Sequence, residues 1–408
     1  MCEFLFWLAL YVAAVWEVSL HLLELRHLGK MQKGLFPFPG LPQAMPSFGN
    51  LDNSIAYARN RVKLSLGETL TNYILCVAIA AYGVPDRISQ LIGNVVNSQG
   101  LIAGLSGLVL CFLFWSCNLP WAWLRTFRVE RKYGFNLTTK MTFARDKLIG
   151  LILLTSVSFA SLFYFALIFR YPLWPLYLML TLFLFEFIIM LVVPVIILPL
   201  FFKLQPLMDE DLAFKIRGLL DKLGIRNFNI YVADASRRTL HGNAFIAGMG
   251  KVKRIVLFDT LLSRLKADEV CAVLAHELGH WKLRHIGKRL VLLWAVQATL
   301  ILCAYLMWSF GFVQALHIQS PQAFAVYVFV FLNAFMTLAF QPLILHVSRK
   351  HELEADRFAA ESLDRESVIQ ALSKISSDNL SWLPSSKIYA MWYSTHPSIL
   401  ERITILNQ

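Results

Sequence analysis

Charge is the scarcest ingredient of this 408-residue chain: 16% of it is Asp, Glu, Lys or Arg, where soluble domains carry about a quarter, and 57% is hydrophobic. That shortage excludes a fully solvated globule. Paired cysteines are also lacking: Cys2, Cys76, Cys111, Cys117, Cys271 and Cys303 show no recurrent spacing, no CxxC and no Cys/His finger, so neither a disulfide framework nor a finger-type zinc site is expected. The chain has no internal repeat and no low-complexity tract. No small-residue cleavage site follows the first apolar stretch, whose end is interrupted by Glu17, His21 and Glu24, so it reads as a mature helix and not as a signal peptide.

Long apolar runs are abundant. Seven are long enough to cross a hydrocarbon core that takes roughly 20 helical residues. They run from Phe4 to Leu25, Leu64 to Tyr82, Leu101 to Trp121, Leu148 to Phe169, Pro175 to Phe202, Val291 to Phe312 and Phe324 to His346. The net charge of +12 does not call for nucleic acid, because its distribution follows the positive-inside rule. The loops from Arg26 to Lys63 and Arg125 to Lys147 carry six and seven Lys/Arg, and the segments Lys203 to Arg289 and Arg349 onward carry sixteen and seven. The opposite side holds only Arg87 and Arg170. The N-terminus is therefore expected in the lumen and the C-terminus in the cytosol.

The expected fold is an α-helical integral membrane protein with about seven transmembrane helices and a mostly helical extramembrane domain that carries a small β-sheet. Residues 1–202 form the N-terminal membrane region with five helices and two basic loops. Residues 203–290 and 348–408 form the two parts of the extramembrane domain, split by a membrane hairpin at 291–347. In the first part, Leu212, Ile216, Leu219, Leu220 and Leu223 recur at helical spacing after Asp209, Glu210 and Asp211. Two β-type runs, Phe228 to Ala233 and Arg254 to Phe258, flank the Gly-rich stretch HGNAFIAGMGK, and a helical pattern returns from Ala267 to Arg284.

That helix contains His276-Glu277-Leu278-Gly279-His280. Residues four apart share a helix face, so both imidazoles reach one zinc ion while Glu277 points at bound water, the arrangement of a metalloprotease. A third ligand has to come from elsewhere, and Ser348-Arg349-Lys350-His351-Glu352-Leu353-Glu354-Ala355-Asp356 is the best source. Either Glu352 or Glu354 could ligate, but only Glu352 shares its face with a second carboxylate, Asp356, suited to hold a ligand imidazole. His285, five residues beyond His280, is expected at the surface or at a helix cap. Intramembrane Glu17, His21, Glu24, Glu186 and His346 are costly in lipid and are expected to face an interior, as chamber lining or as mutual partners.

On these motifs the sequence resembles the type I CAAX prenyl proteases. The likeness includes LPWAWLRTFRVERKYGFNLTT (Leu119 to Thr139), PVIILPLFFKLQPL, LHGNAFIAG and THPSILER, so that recognisable pieces run from Leu119 to Arg402. The resemblance implies His276, His280 and Glu352 as ligands of one zinc per chain, Glu277 as catalytic base, Asp356 behind the ligands and His396 as oxyanion donor, with Tyr393 as its rival. It further implies isoprenylated CAAX proteins as substrates, a location in the endoplasmic reticulum membrane with the site open to the cytosol, and a chamber enclosed by the seven helices. Asn243, Ala244 and Phe245 are expected to bind substrate, since an exposed strand edge can take up an extended peptide. Gly242, Phe245 and Ile246-Ala247 depart from the family pattern, which bears on substrate contacts and not on the zinc chemistry. The competing readings are a membrane quality-control metalloprotease, disfavoured by five apolar segments ahead of the motif, and a multi-span transporter or receptor with structural zinc, disfavoured because three ligands and a base leave an open coordination position.

Overall fold

The computed structural model describes residues 2–35, 50–225, 228–248 and 253–408, so the end of the Gly-rich stretch, Met249 to Lys251, lies outside the described residues. The apolar runs become helices, most of which extend beyond the predicted cores at one end or both, while the fifth run, Pro175 to Phe202, is divided into a helix, a π-helical turn and a short helix ending at Phe201. The helices begin with α1 (Cys2–Gln32), α2 (Leu51–Ala81), the short α3 (Val84–Gly93), α4 (Gln99–Leu124), α5 (Lys140–Ile168) and α6 (Trp174–Val192). Among the described residues, seven helices are long and apolar enough to cross a membrane. Their outward faces carry exposed large side chains such as Leu184, Phe187, Ile196 and Val291, as a lipid-facing surface requires.

The acidic and His residues within these helices are mostly partnered. Glu17 accepts hydrogen bonds from the hydroxyls of Tyr73 at 2.8 Å and Tyr393 at 3.3 Å. His21 lies 3.3 Å from the Thr69 hydroxyl, and Glu24 accepts the Ser386 backbone N–H at 2.9 Å. Glu186 takes the Trp294 indole N–H and the Gln297 amide from a neighbouring helix. Those of α1 tie the first span to the C-terminal part of the chain. His346, in contrast, is exposed.

Beyond α6 the chain leaves the apolar region through a π-helical turn at Val193–Ile197 and enters a four-stranded sheet. Its strands are β1 (Leu204–Pro206), β2 (Asn229–Ala233), β3 (Ala244–Ala247) and β4 (Arg254–Phe258), with α7 (Glu210–Lys222) between β1 and β2. The order is β1-β2-β4-β3: β2 and β4 pair in parallel, β1 and β3 pair antiparallel to their neighbours. Thus β3 is an edge strand. Two of the four strands match the β-type runs of the sequence. The other two formed within a turn out of the membrane and within the Gly-rich stretch.

The helix α8 (Ala267–Lys282) packs on this sheet, followed by the membrane helix α9 (His285–Ser309). The last span, α10 (Pro321–Phe335), continues through a π-helical turn at Met336–Phe340 into α11 (Gln341–Ser362), so that one helix of 42 residues runs from the membrane into the extramembrane domain. Three short helices close the chain: α12 (Arg365–Asp378), α13 (Lys387–Tyr393) and α14 (Ile399–Leu406). One hydrophobic core joins both parts of the domain, with Ile216, Ile255, Leu257, Leu274 and Leu278 from the first and Ala359, Val368, Ala371 and Leu406 from the second.

Candidate active site

Helix α8 starts where Glu269 turns back to accept the Lys266 backbone N–H at 2.7 Å, and Asp268 and Glu269 complement the dipole of its first turn. Val270, Leu274, Ala275 and Leu278 anchor its buried face. His276 and His280 then point toward α11. Gly279 makes that approach possible: a Cβ there would meet Ala355 Cα at 3.2 Å, Ala355 O at 3.3 Å and Phe358 Cδ1 at 3.1 Å. The two helices are in backbone contact at the turn that carries the histidines.

Three donor side chains meet in the gap. The two Nε2 atoms of His276 and His280 are 3.2 Å apart, and each lies 3.3 Å from an oxygen of Glu352. Ligands about 2.1 Å from a tetrahedral ion are separated by roughly 3.4 Å, so the spacing of the two nitrogens, and of each from one Glu352 oxygen (Oε2 for His276, Oε1 for His280), is of the size a divalent metal demands. Glu352 Oε2 is buried and, although the Nε2 atoms of His276 and His396 stand 3.3 Å away, makes no well-aligned hydrogen bond among the described residues, and a buried polar atom left unsatisfied marks a missing partner. The donor set therefore fits a metal ion.

Each imidazole is held from behind. Asp356 accepts a hydrogen bond from His276 Nδ1 at 2.9 Å and is itself gripped by both arms of Arg402 at 2.6 and 2.7 Å. His276, although burial acts to lower its pKa, is pushed up to about 9 by its Asp356 and Glu352 partners when no metal competes. His280 Nδ1 lies 3.0 Å from His285 Nδ1, and His285 Nε2 lies 2.9 Å from Glu354. If His280 binds a metal through Nε2, its Nδ1 carries the proton and donates to His285, whose other nitrogen donates to Glu354.

This corrects the expectation that His285 is a surface or capping residue, for only 1% of it is exposed. The reversal at Arg284, with φ of +57°, ends one helix and starts the next, so the angular count from His280 does not carry through to His285. His351 stacks face to face on the His285 ring at 4.0 Å. Arg402 and His351 also escaped the sequence reading as parts of the site, although Arg402 stands within the THPSILER tail.

The remaining predicted residues surround a cavity of about 390 Å³. Glu277 lines it beside the two imidazoles, and burial raises its pKa. Asn243, Ala244 and Phe245 form the opposite wall at the sheet edge. His396 Nε2 is 3.3 Å from Glu352 Oε2, while its Nδ1 meets the Thr395 hydroxyl at 2.8 Å. Tyr393, the rival donor, is engaged with Glu17 instead. Glu354 is kept apart from the donor triangle by its bond to His285.

A multi-span helical body joined to a sheet-edged cleft with an HExxH helix defines a membrane metallopeptidase. Residues 206–408 match the model of peptidase family M48, and residues 47–203 match that of the CAAX prenyl protease N-terminal region with five membrane helices. Similar proteins include CAAX prenyl protease 1 of Saccharomyces cerevisiae, 32% identical over 86% of this chain and 84% of the relative. The CAAX prenyl protease 1 homologue of Arabidopsis thaliana is 30% identical over 94% of this chain and 93% of its own. The crystal structure of S. mikatae Ste24p superposes with a TM-score of 0.88 at 26% identity, covering 99% of each chain. This chain belongs to the CAAX prenyl protease 1 family.

Proposed function

We propose that the protein is a zinc endopeptidase that removes the last three residues of isoprenylated CAAX proteins at the cytosolic face of the endoplasmic reticulum membrane. The observation that carries the chemistry is the convergence of His276, His280 and Glu352, with the two Nε2 atoms 3.2 Å apart and each 3.3 Å from one of the carboxylate oxygens, with Glu277 beside them and the edge strand lining the same cavity. The names of the relatives support the substrate class.

A zinc ion held by these three residues would polarise the scissile carbonyl and acidify the attacking water. Glu277 accepts the proton of that water and passes it to the leaving nitrogen, and the raised pKa that burial gives it brings the carboxylate closer to the working pH. His396, facing the same cavity, donates to the oxygen that gains charge during attack. Asp356 with Arg402, and His285 with Glu354, fix which nitrogen of each ligand imidazole carries its proton. Asn243, Ala244 and Phe245 of the edge strand align the peptide by main-chain hydrogen bonds. Catalysis then needs no covalent enzyme intermediate.

The test is cleavage of a farnesylated CAAX peptide and its unprenylated twin by detergent-purified protein, with and without a chelator. The expected result is release of the C-terminal tripeptide from the prenylated peptide alone or preferentially, about one zinc per chain, and loss of both metal and activity to the chelator. Equal cleavage of the two peptides would remove the prenyl assignment, and full activity without metal would remove the mechanism.

A further inference from the structure

His396 reaches the site from a bend between two short helices, α13 and α14. Its side chain is 57% exposed, so packing does not fix the ring. Among the described residues neither Thr395 nor His396 joins a backbone–backbone hydrogen bond. A donor aimed at a developing charge has to be held in place before the reaction. What holds this one must lie outside the bend.

Helix α11 supplies the hold. Arg349 aims both N–H groups of one terminal guanidinium nitrogen at the main chain ahead of the bend, 2.9 Å from Ala390 O and 3.0 Å from Ser394 O. A cation on the last carbonyls of α13 also meets the negative end of that helix. Glu401 attracts the guanidinium through charge, but its hydrogen bonds go to these carbonyls. On the far side of the bend, Arg402 of α14 returns to α11 and grips Asp356. Arg349, Glu352 and Asp356 follow one another at spacings of three and four, so they share one face of α11. Between the two anchors, His396 Nε2 stands 3.3 Å from Glu352 Oε2. The Thr395 hydroxyl, 2.8 Å from His396 Nδ1, can donate there and leave the ring proton on Nε2. The body of α13 is seated separately: the Trp392 indole N–H donates to Thr337 O at 3.0 Å, and the Gln341 amide donates to Trp392 O. The helix therefore stays in place without Arg349, whose contacts fall at the end from which the bend departs.

We infer that Arg349 is the positioning residue of His396: by holding the carbonyls of Ala390 and Ser394 it fixes the bend so that Nε2 faces the place where the scissile carbonyl gains charge. This rests on the reading of His396 as the donor to that oxygen. Arg349 does not line the metal-site cavity, so its effect on the reaction passes through His396.

The test is a double-mutant cycle on a farnesylated CAAX peptide, with kcat, KM, zinc content and melting temperature measured for each variant. Removing a donor to a developing oxyanion costs about 10²- to 10³-fold in kcat, and His396→Ala should lose about that much. Arg349→Met keeps a long side chain without donors and should lower kcat about tenfold or more at unchanged KM and zinc content, since a misplaced donor fails in the transition state alone. In the His396→Ala background the same change should cost less than about twofold, because residues that act as a unit are not additive. Arg349→Lys, which keeps a cation for the carbonyls, should recover part of the loss only where His396 is present. If Arg349→Met releases zinc or unfolds, the cycle is closed with Arg349→Lys, whose smaller loss has to vanish with His396 in the same way. An equal fold-loss in both backgrounds, an unchanged kcat in Arg349→Met, or loss of zinc from both Arg349 variants overturns the inference and leaves His396 in its role. Full kcat in His396→Ala removes that role, and the inference with it. A wild-type protein that cuts no farnesylated peptide removes the protease reading beneath both.

Discussion

Glu277→Gln deletes the proposed proton acceptor without touching a donor atom, so the protein should keep its zinc and lose turnover by about 10²- to 10⁴-fold; metal analysis alongside peptide cleavage checks both halves. Glu352→Ala should lose the metal. His285→Leu removes the partner of His280 Nδ1 and should lower zinc affinity by roughly 10- to 100-fold, whereas His285→Asn, whose Oδ1 can replace the acceptor, should recover part of it in a zinc titration. Spacing alone predicts that Glu354→Ala is silent, since it faces away from Glu352. The bond from His285 to Glu354 predicts a smaller loss than His285→Leu, and a fully silent variant would show that the outer carboxylate contributes nothing. The donor triangle itself was legible because all three residues lie on helices, where four-residue spacing fixes a shared face. His285 was not legible, for a single positive-φ residue, Arg284, resets the direction of the chain between them.

Between elements, the decisive contact is the one at Gly279, where α8 and α11 touch backbone to backbone. Gly279→Ala forces Ala355 and Phe358 to give way by a few tenths of an ångström in a packed interior, which costs about 1–3 kcal/mol. The added methyl also spreads the triangle, because His276 and His280 flank the same turn. Thermal unfolding with and without zinc should show a fall in melting temperature and a reduced stabilisation by the metal; an unchanged zinc increment would mean that the helices recover their spacing. The long helices were readable from apolar length. Strands β1 and β3 were less so, because three- and four-residue strands have too short a pattern to declare themselves, and β3 is defined by its register on β4.

For the molecule as a whole, the orientation expected from the segregation of Lys and Arg would put Asn136 and Asn379 in the cytosol, and both head N-x-S/T acceptor sequences. Expressed in a eukaryotic membrane, neither should be glycosylated, while an acceptor placed in a lengthened segment from Val313 to Gln322 should be; glycan on Asn136 would invert the orientation and put the metal site in the lumen. Composition and spacing could reveal the number of spans and their charge bias, but not that the final span and the proposed third ligand, Glu352, share one continuous 42-residue helical segment. This continuity gives the site a phase. With no loop between Pro321 and Glu352 to absorb a change in length, adding or removing one residue turns everything downstream by about 100° and shifts it by about 1.5 Å. The π turn at Met336–Phe340 is the place where one extra residue has already been taken up. Deleting Ile344, in the regular helix beyond that turn, would swing Glu352 out of the triangle from about two turns away, leaving every residue of the cavity unaltered.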